Sequence, residues 1–270
     1  MITPISSPKN PLIKEIALMQ SKAKERKRAG MIVIEGKKEI SLAVSAGLSF
    51  VKILYCPQII ALEEARTLIG AAWERAEIFE VSEAAFSKIS YRETTGGVVV
   101  LATEPSKQLA DLPVNEQSVY IILEAVEKPG NLGAICRVAD AAKVDGLIIS
   151  DPHTDIYNPN AIRSSLGCVF TVDVVQASFE DTYAWLKRNA VRSFAAELQA
   201  SEFYHETDLS GRIALVFGTE ATGLTEKWIT GADRRIKIPM GGVIDSLNVT
   251  TSVAILTFEA MRRRNFGNND

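Results

Sequence analysis

Short apolar runs of β type alternate along this chain with stretches whose apolar residues recur every three to four positions, and that alternation predicts its architecture. Residues 10–28 predict one helix, with Leu12, Ile13, Ile16, Ala17 and Leu18 on one side, a solvated basic end and Gly30 as its stop. The run Met31-Ile-Val-Ile-Glu35 predicts a strand, and residues 37–46 a helix closed by Gly47. Strand 51–55, amphipathic helix 58–76, strand 77–81, a short helix over 82–89 capped by Ser82, and strand 97–102 complete a small α/β unit. Residues 104–117 are polar, contain two prolines and have no period, which predicts a linker.

From Val119 the pattern restarts. Strands are predicted over 119–123, 146–150, 170–175, 193–196, 213–217 and 235–239. Helices are predicted over 132–143, 160–166, 179–188, near 225–230 and, longest of all, over 246–264. Strands separated by helical crossovers predict a parallel sheet covered on both faces, and such sheets bind ligands beyond the carboxyl ends of their strands. The expected organisation is therefore an N-terminal unit over 1–103, a linker over 104–117 and a second domain over 118–270. A length of 270 residues agrees with two domains of about 150 residues each.

Composition narrows the function classes. With 47% apolar and 23% charged residues the chain is an ordinary globular protein and not a disordered one. No apolar stretch approaches the ~20 residues of a membrane span. The first eleven residues lack the apolar core of a signal peptide, so a cytoplasmic location and no membrane partner are expected. Cys56, Cys136 and Cys168 are widely spaced and only His153 and His205 could join them, so neither a metal site nor a disulfide framework is expected. The formal charge of −3 is unevenly spread. Lys9, Lys14, Lys22, Lys24, Arg26, Lys27 and Arg28 face only Glu15 and Glu25 within the first 30 residues, a basic arm of +5 on a body of −8. A polyanion would meet this end first.

Three loops, each after a predicted strand of the second domain, carry candidate chemistry. In Glu127-Lys-Pro-Gly-Asn-Leu-Gly-Ala-Ile-Cys-Arg137, Pro129-Gly130 turns the chain and Asn131 is placed to cap a helix, a geometry that attracts phosphate or carboxylate. Arg137 follows about one and a half turns later, facing either Asp140 or a substrate anion. In Val216-Phe-Gly-Thr-Glu-Ala-Thr-Gly-Leu224 two glycines allow close backbone approach beside Glu220, which could accept a bond from a hydroxyl or amine. In Ile238-Pro-Met-Gly-Gly-Val-Ile-Asp-Ser-Leu-Asn-Val249 a turn leads into a helix capped by Asp245 or Ser246, with Asn248 in its first turn. Neither the G-x-G-x-x-G fingerprint nor the Walker A pattern occurs, which removes the main support for a Rossmann dehydrogenase or a P-loop NTPase.

Together the three loops resemble the signature motifs of the SpoU (TrmH-like) group of the SPOUT superfamily: N-x-G-x-x-x-R over 131–137, G-x-E-x-x-G-L over 218–224 and I-P-M-x-G-x-x-x-S-L-N-V over 238–249. The first hundred residues resemble the accessory RNA-binding unit of many bacterial members, itself similar to a small ribosomal protein, through Ser7-Pro-Lys-Asn-Pro-Leu-Ile-Lys14, the basic run to Arg28 and Ile32-Val-Ile-Glu-Gly36. The resemblance implies an α/β fold whose C-terminal parallel-sheet SPOUT domain holds a deep trefoil knot and forms a homodimer. It implies methyl transfer from S-adenosylmethionine to a ribose 2′-hydroxyl of RNA, with large-subunit ribosomal RNA favoured over transfer RNA. A non-catalytic RNA-binding or ribosome-assembly protein on the same fold is the rival reading. It further implies a catalytic set of Asn131, Arg137, Glu220, Ser246 and Asn248, and cofactor contacts from Leu198, Gly218, Ile238, Met240 and Leu247. RNA phosphates would meet Lys9, Lys14, Lys22, Lys24, Arg26, Lys27 and Arg28, and no metal would take part. A guanidinium does not lose its proton in ordinary protein settings, so Arg137 is expected to grip the target phosphate and not to act as the base. The chain departs from the family at Ala221-Thr222, where a glycine usually follows the glutamate, and this is expected to narrow the loop.

Overall fold

The computed structural model describes residues 2–90 and 96–267. It divides into two compact units, Met1–Pro105 with Asp155–Thr171, and Ser106–Thr154 with Val172–Asp270. The first unit comprises β1 (Ile2–Ile5), α1 (Pro11–Ser21), α2 (Ala23–Ala29), β2 (Met31–Glu35), α3 (Lys37–Ser45), β3 (Phe50–Tyr55), α4 (Leu62–Ile69), β4 (Glu77–Val81), α5 (Glu83–Phe86) and β5 (Val98–Thr103). Its sheet runs β1-β4-β3-β5-β2, parallel through β3 and antiparallel at β5. Strand β1 has no period of its own; pairing with β4, Ile2 opposite Ile78 through Ile5 opposite Val81, makes it a strand.

The single helix expected over residues 10–28 is two. Asn10 caps α1 through Leu12 N at 2.9 Å, and the chain opens to an extended conformation at Lys22 (φ −127°, ψ 113°) before α2 begins. The break brings Arg26 back under α1, where its guanidinium donates to the Met19 and Gln20 carbonyls and, through Nε at 2.8 Å, to Asp155. Arg26 is 2% exposed, so the expectation that it contacts RNA is corrected: it is a buried tie between the helix end and a segment 129 residues away. Lys9, Lys14, Lys22, Lys24, Lys27 and Arg28 are exposed. Removing one partner of a buried ion pair leaves the other uncompensated, so Arg26→Met is expected to cost the fold about 3 kcal/mol or more. Urea unfolding measures it, and an unchanged midpoint would show that the pair contributes nothing.

The second unit follows the predicted alternation: β6 (Val119–Glu124), α6 (Pro129–Ala142), β7 (Gly146–Ser150), then β8 (Val174–Ala177), α8 (Phe179–Arg188), β9 (Arg192–Ala196), β10 (Glu202–Phe203), β11 (Ile213–Phe217), α9 (Glu226–Gly231), β12 (Arg234–Lys237) and α10 (Val249–Arg262). All seven strands are parallel, in the order β10-β12-β9-β11-β6-β7-β8. Every residue of β6, β7 and β11 is buried, the mark of central strands covered on both faces.

Three local expectations change. Between β7 and β8 the chain forms α7 (Pro159–Ser164) and a 3-10 turn over Cys168–Phe170, where a strand was expected from residue 170. This segment belongs to the first unit, with α7 packed on β2 and Gly167 (φ +88°) so close to α3 that a Cβ would stand 3.0 Å from Glu39 Cα. A domain boundary continuous in sequence therefore does not describe the packing. Helix α6 starts at Pro129, whose fixed φ suits a first helical position, so Asn131 lies in the first turn and is not the cap. Helix α10 starts at Val249 and its cap is Asn248, with Oδ1 accepting from Thr250 N at 2.9 Å, in place of Asp245 or Ser246. At its far end Arg262 and Arg263 clamp Glu259, pulling that carboxyl down to about 2, while Arg264 donates to the Gln117, Ala260 and Gly211 carbonyls and fastens the helix end.

Candidate active site

Strands β12, β9 and β11 are neighbours, so the loops that leave their carboxyl ends meet. Together with the start of α10 they enclose a cavity of 490 Å³. Leu198, Gly218, Ile238, Met240 and Leu247 all line it, as do Glu220 and Ser246. Asn131 lines a smaller adjoining cavity of 70 Å³ with Glu124, Lys128 and Ile135; the two share Gly218, Thr219, Glu220, Ala221 and Val249. Arg137 lines neither: it is exposed on α6 and makes no hydrogen bond or ion pair among the described residues, Asp140 included.

The loop after β11 is closed on itself. Thr219 and Gly223 exchange backbone bonds of 3.1 and 3.0 Å, Gly223 adopts φ +71°, and the Thr219 and Thr222 hydroxyls meet at 2.8 Å. Thr222, one of the two residues departing from the family pattern, thus fastens the turn by a side-chain bond. Gly218 has no room for a side chain: a Cβ there would stand 2.1 Å from Gly223 C. Beyond the turn, the buried carboxylate of Glu124 accepts from Thr225 N at 2.7 Å and Thr225 Oγ1 at 2.6 Å, which pins the loop to the end of β6.

Glu220 is the junction of all three motifs. Its carboxylate pairs with the Lys128 ammonium and accepts from the Asn248 side-chain amide. The Lys128 bond first, then the Asn131 and Asn248 amides, hold the Glu220 carboxyl below the usual carboxylate range, so it stays ionised at neutral pH. Asn248 therefore works twice, capping α10 with its oxygen and steadying Glu220 with its nitrogen. Lys128 was not among the residues singled out from the sequence, although its place directly before Pro129 and its sign opposite to Glu220 were legible there. Glu197 is a second omission: it lines the cavity, and its buried Oε2 lacks a hydrogen-bond donor, with Arg235 Nη1 3.5 Å away as its ion-pair partner. None of Cys56, Cys136 and Cys168 is in a disulfide, and among the described residues no group of three or more His, Cys, Asp or Glu could hold a metal. No described helix is long and apolar enough to cross a membrane.

Residues 118–258, which contain all three motifs and the whole parallel sheet, match the SpoU rRNA Methylase family. The chain belongs to that family. Residues 10–100 match the MRM3-like substrate binding domain, so both units have counterparts in known proteins. Among SpoU relatives, the 23S rRNA (guanosine(2553)-2′-O)-methyltransferase RlmP of Bacillus subtilis is 29% identical over 94% of this chain and 97% of its own. The 23S rRNA (uridine(2479)-2′-O)-methyltransferase of Streptomyces viridochromogenes is 29% identical over 89% of this chain and 85% of its own. The structure of an AdoMet-bound rRNA methyltransferase from Sinorhizobium meliloti superposes with a TM-score of 0.88 at 30% identity, covering 97% of this chain and 98% of that one.

Proposed function

We propose that this protein transfers a methyl group from S-adenosylmethionine to a ribose 2′-hydroxyl of large-subunit ribosomal RNA in the cytoplasm. The observation that carries the reading is the convergence of the three family motifs on two adjoining cavities, with Glu220 lining both and held by Lys128, Asn131 and Asn248. The residues fit the cofactor. A volume of 490 Å³ lies within the range of ligand pockets, Gly218 leaves backbone open to close approach, and the buried Glu197 Oε2 awaits a donor such as a ligand hydroxyl. Leu198, Ile238, Met240 and Leu247 would hold its apolar parts. When bound, S-adenosylmethionine supplies an electrophilic methyl group on a positively charged sulfur.

The chain's own part is positioning and electrostatics. Asn131, Glu220, Ser246 and Asn248 orient the acceptor ribose, with Lys128 keeping Glu220 charged and aligned. Arg137 grips the phosphate beside the target and raises the acidity of the hydroxyl. Because Arg137 lies outside both cavities of its own chain, the reading includes a homodimer through the second domain in which a second copy completes the site. The apolar residues Phe258 and Phe266, exposed at 39% and 54%, are consistent with such a contact. The deep trefoil knot expected from the resemblance belongs to the same proposal. The exposed Lys9, Lys14, Lys22, Lys24, Lys27 and Arg28 of the first unit would bind RNA phosphates.

The deciding experiment is transfer of labelled methyl from S-adenosylmethionine into total bacterial RNA, separated into ribosomal and transfer fractions. Label on a ribose of large-subunit ribosomal RNA is expected. Label in transfer RNA alone would move the substrate to that class, and neither label nor calorimetric cofactor binding would leave a non-catalytic RNA-binding protein. Glu220→Gln keeps the shape and loses the charge that Lys128 and Asn248 hold, so turnover should fall about tenfold to a hundredfold. Wild-type turnover in that variant would remove Glu220 from the site.

A further inference from the structure

The segment Glu202-Phe-Tyr-His-Glu206 has no part in the site described above, yet it places three consecutive rings at the edge of the parallel sheet. Strand β10 is the terminal strand of the sheet and among the described residues pairs with β12 alone, Phe203 opposite Lys237. The Phe203 and His205 rings stack at 5.6 Å and 22°, and the Tyr204 ring meets His205 edge-on at 5.4 Å. The backbone beneath them is fixed: Tyr204 N donates to the Lys237 carbonyl at 3.1 Å, Thr207 Oγ1 donates to the Phe203 carbonyl at 2.9 Å, and Arg263 donates to the His205 carbonyl. His205 itself is exposed.

Cations and carboxylates both stand beside the rings. Lys237 Nζ lies 5.2 Å from the centroid of Phe203, forms no ion pair among the described residues, and lines the 490 Å³ cavity. The nearby carboxylates are partly occupied, since Glu202 takes Arg234 at 3.0 Å, while Glu206 stands 3.8 Å from His205 Nε2. Rings held on a rigid edge beside an unpaired ammonium match what single-stranded nucleic acid requires, a π face for a base and a cation for the adjoining phosphate.

We propose that Phe203, Tyr204 and His205 form a stacking platform for an unpaired base of the substrate RNA, with Lys237 taking the adjoining phosphate and linking the platform to the cofactor cavity. The inference rests on the RNA methyltransferase reading for the identity of the RNA, but its test does not depend on turnover. Binding of a fluorescein-labelled single-stranded oligouridylate to the full chain is followed by fluorescence anisotropy. His205→Ala and Tyr204→Ala should each raise Kd roughly five- to tenfold. His205→Phe, a ring without a ring nitrogen, should restore affinity to within about twofold, since stacking needs only the π face. S-adenosylmethionine affinity measured by calorimetry should not move in any of the three variants.

Wild-type affinity in both alanine variants, failure of His205→Phe to rescue, or no binding of the oligonucleotide by the wild-type chain would each overturn the platform. So would a change in molecular mass by light scattering with RNA affinity unchanged, which would assign the rings to a protein contact. If wild-type chain binds the oligonucleotide through these rings but methylates no RNA, the platform stands and the enzymatic reading falls. If it methylates ribosomal RNA with the same KM in all variants, the reverse holds.

Discussion

Arg137→Ala is expected to abolish methyl transfer and to leave folding stability within about 0.5 kcal/mol of wild type. The two halves of this expectation come from one fact: Arg137 is exposed on α6 and makes no hydrogen bond or ion pair among the described residues, so nothing in the chain's own fold depends on it. A side chain of this length carries rotamer entropy that a packed role would have to offset, and here no packed role exists. Its five donors in a planar fork match a phosphate or a developing oxyanion, whereas lysine offers a point charge. Arg137→Lys should therefore stay at least tenfold below wild type, a loss of about 1.4 kcal/mol or more of transition-state stabilisation. Label transfer and urea denaturation on the same preparations check both halves. Near-normal turnover in the lysine variant would reduce Arg137 to simple charge attraction, and an unfolded alanine variant would make it structural.

Gly218→Ala should raise Kd for S-adenosylmethionine by about a hundredfold or more, read by calorimetry. The added methyl would stand 2.1 Å from Gly223 C, 2.2 Å from Gly223 O and 2.3 Å from Leu224 N, all backbone atoms with no flexible end to yield. Neither side of the turn is free to retreat, because Thr219 and Gly223 are bonded to each other and Thr225 is bonded to the buried Glu124. The turn must open, and with it one wall of the cavity. Gly241→Ala supplies the control: the same substitution in the loop after β12 meets nothing within 4 Å and should change Kd by less than about twofold. Equal affinity in the two variants would separate the turn from cofactor binding.

The hydrophobic pattern of the chain determined the alternation of strands and helices, the parallel sheet and the three loops that carry its chemistry. Each of these is written in contiguous residues: Ile213–Phe217 is apolar throughout and ends in Gly-Thr-Glu, and Pro129 opens α6 wherever α6 is placed. Periodicity reports what a segment does with its own neighbours, and for these segments that was enough. It said nothing of pairings between distant residues. Strand β10 has two residues and β1 four, too few for a period, and each exists because another strand offers it a ladder. Arg26 reads as one more cation in a basic run until Asp155, 129 residues on, is packed beside it. Lys128 and Glu220, 92 residues apart, became partners only when β6 and β11 lay side by side. The caps moved for the same reason: Asn248 and not Ser246 starts α10, and from there its amide also reaches Glu220. Local sequence sets which elements form, because backbone propensity and amphipathic spacing act over a few residues. Tertiary structure decides which charges are buried, paired or left exposed, because burial and Coulomb attraction depend on which distant segments come to lie within a few ångströms of one another.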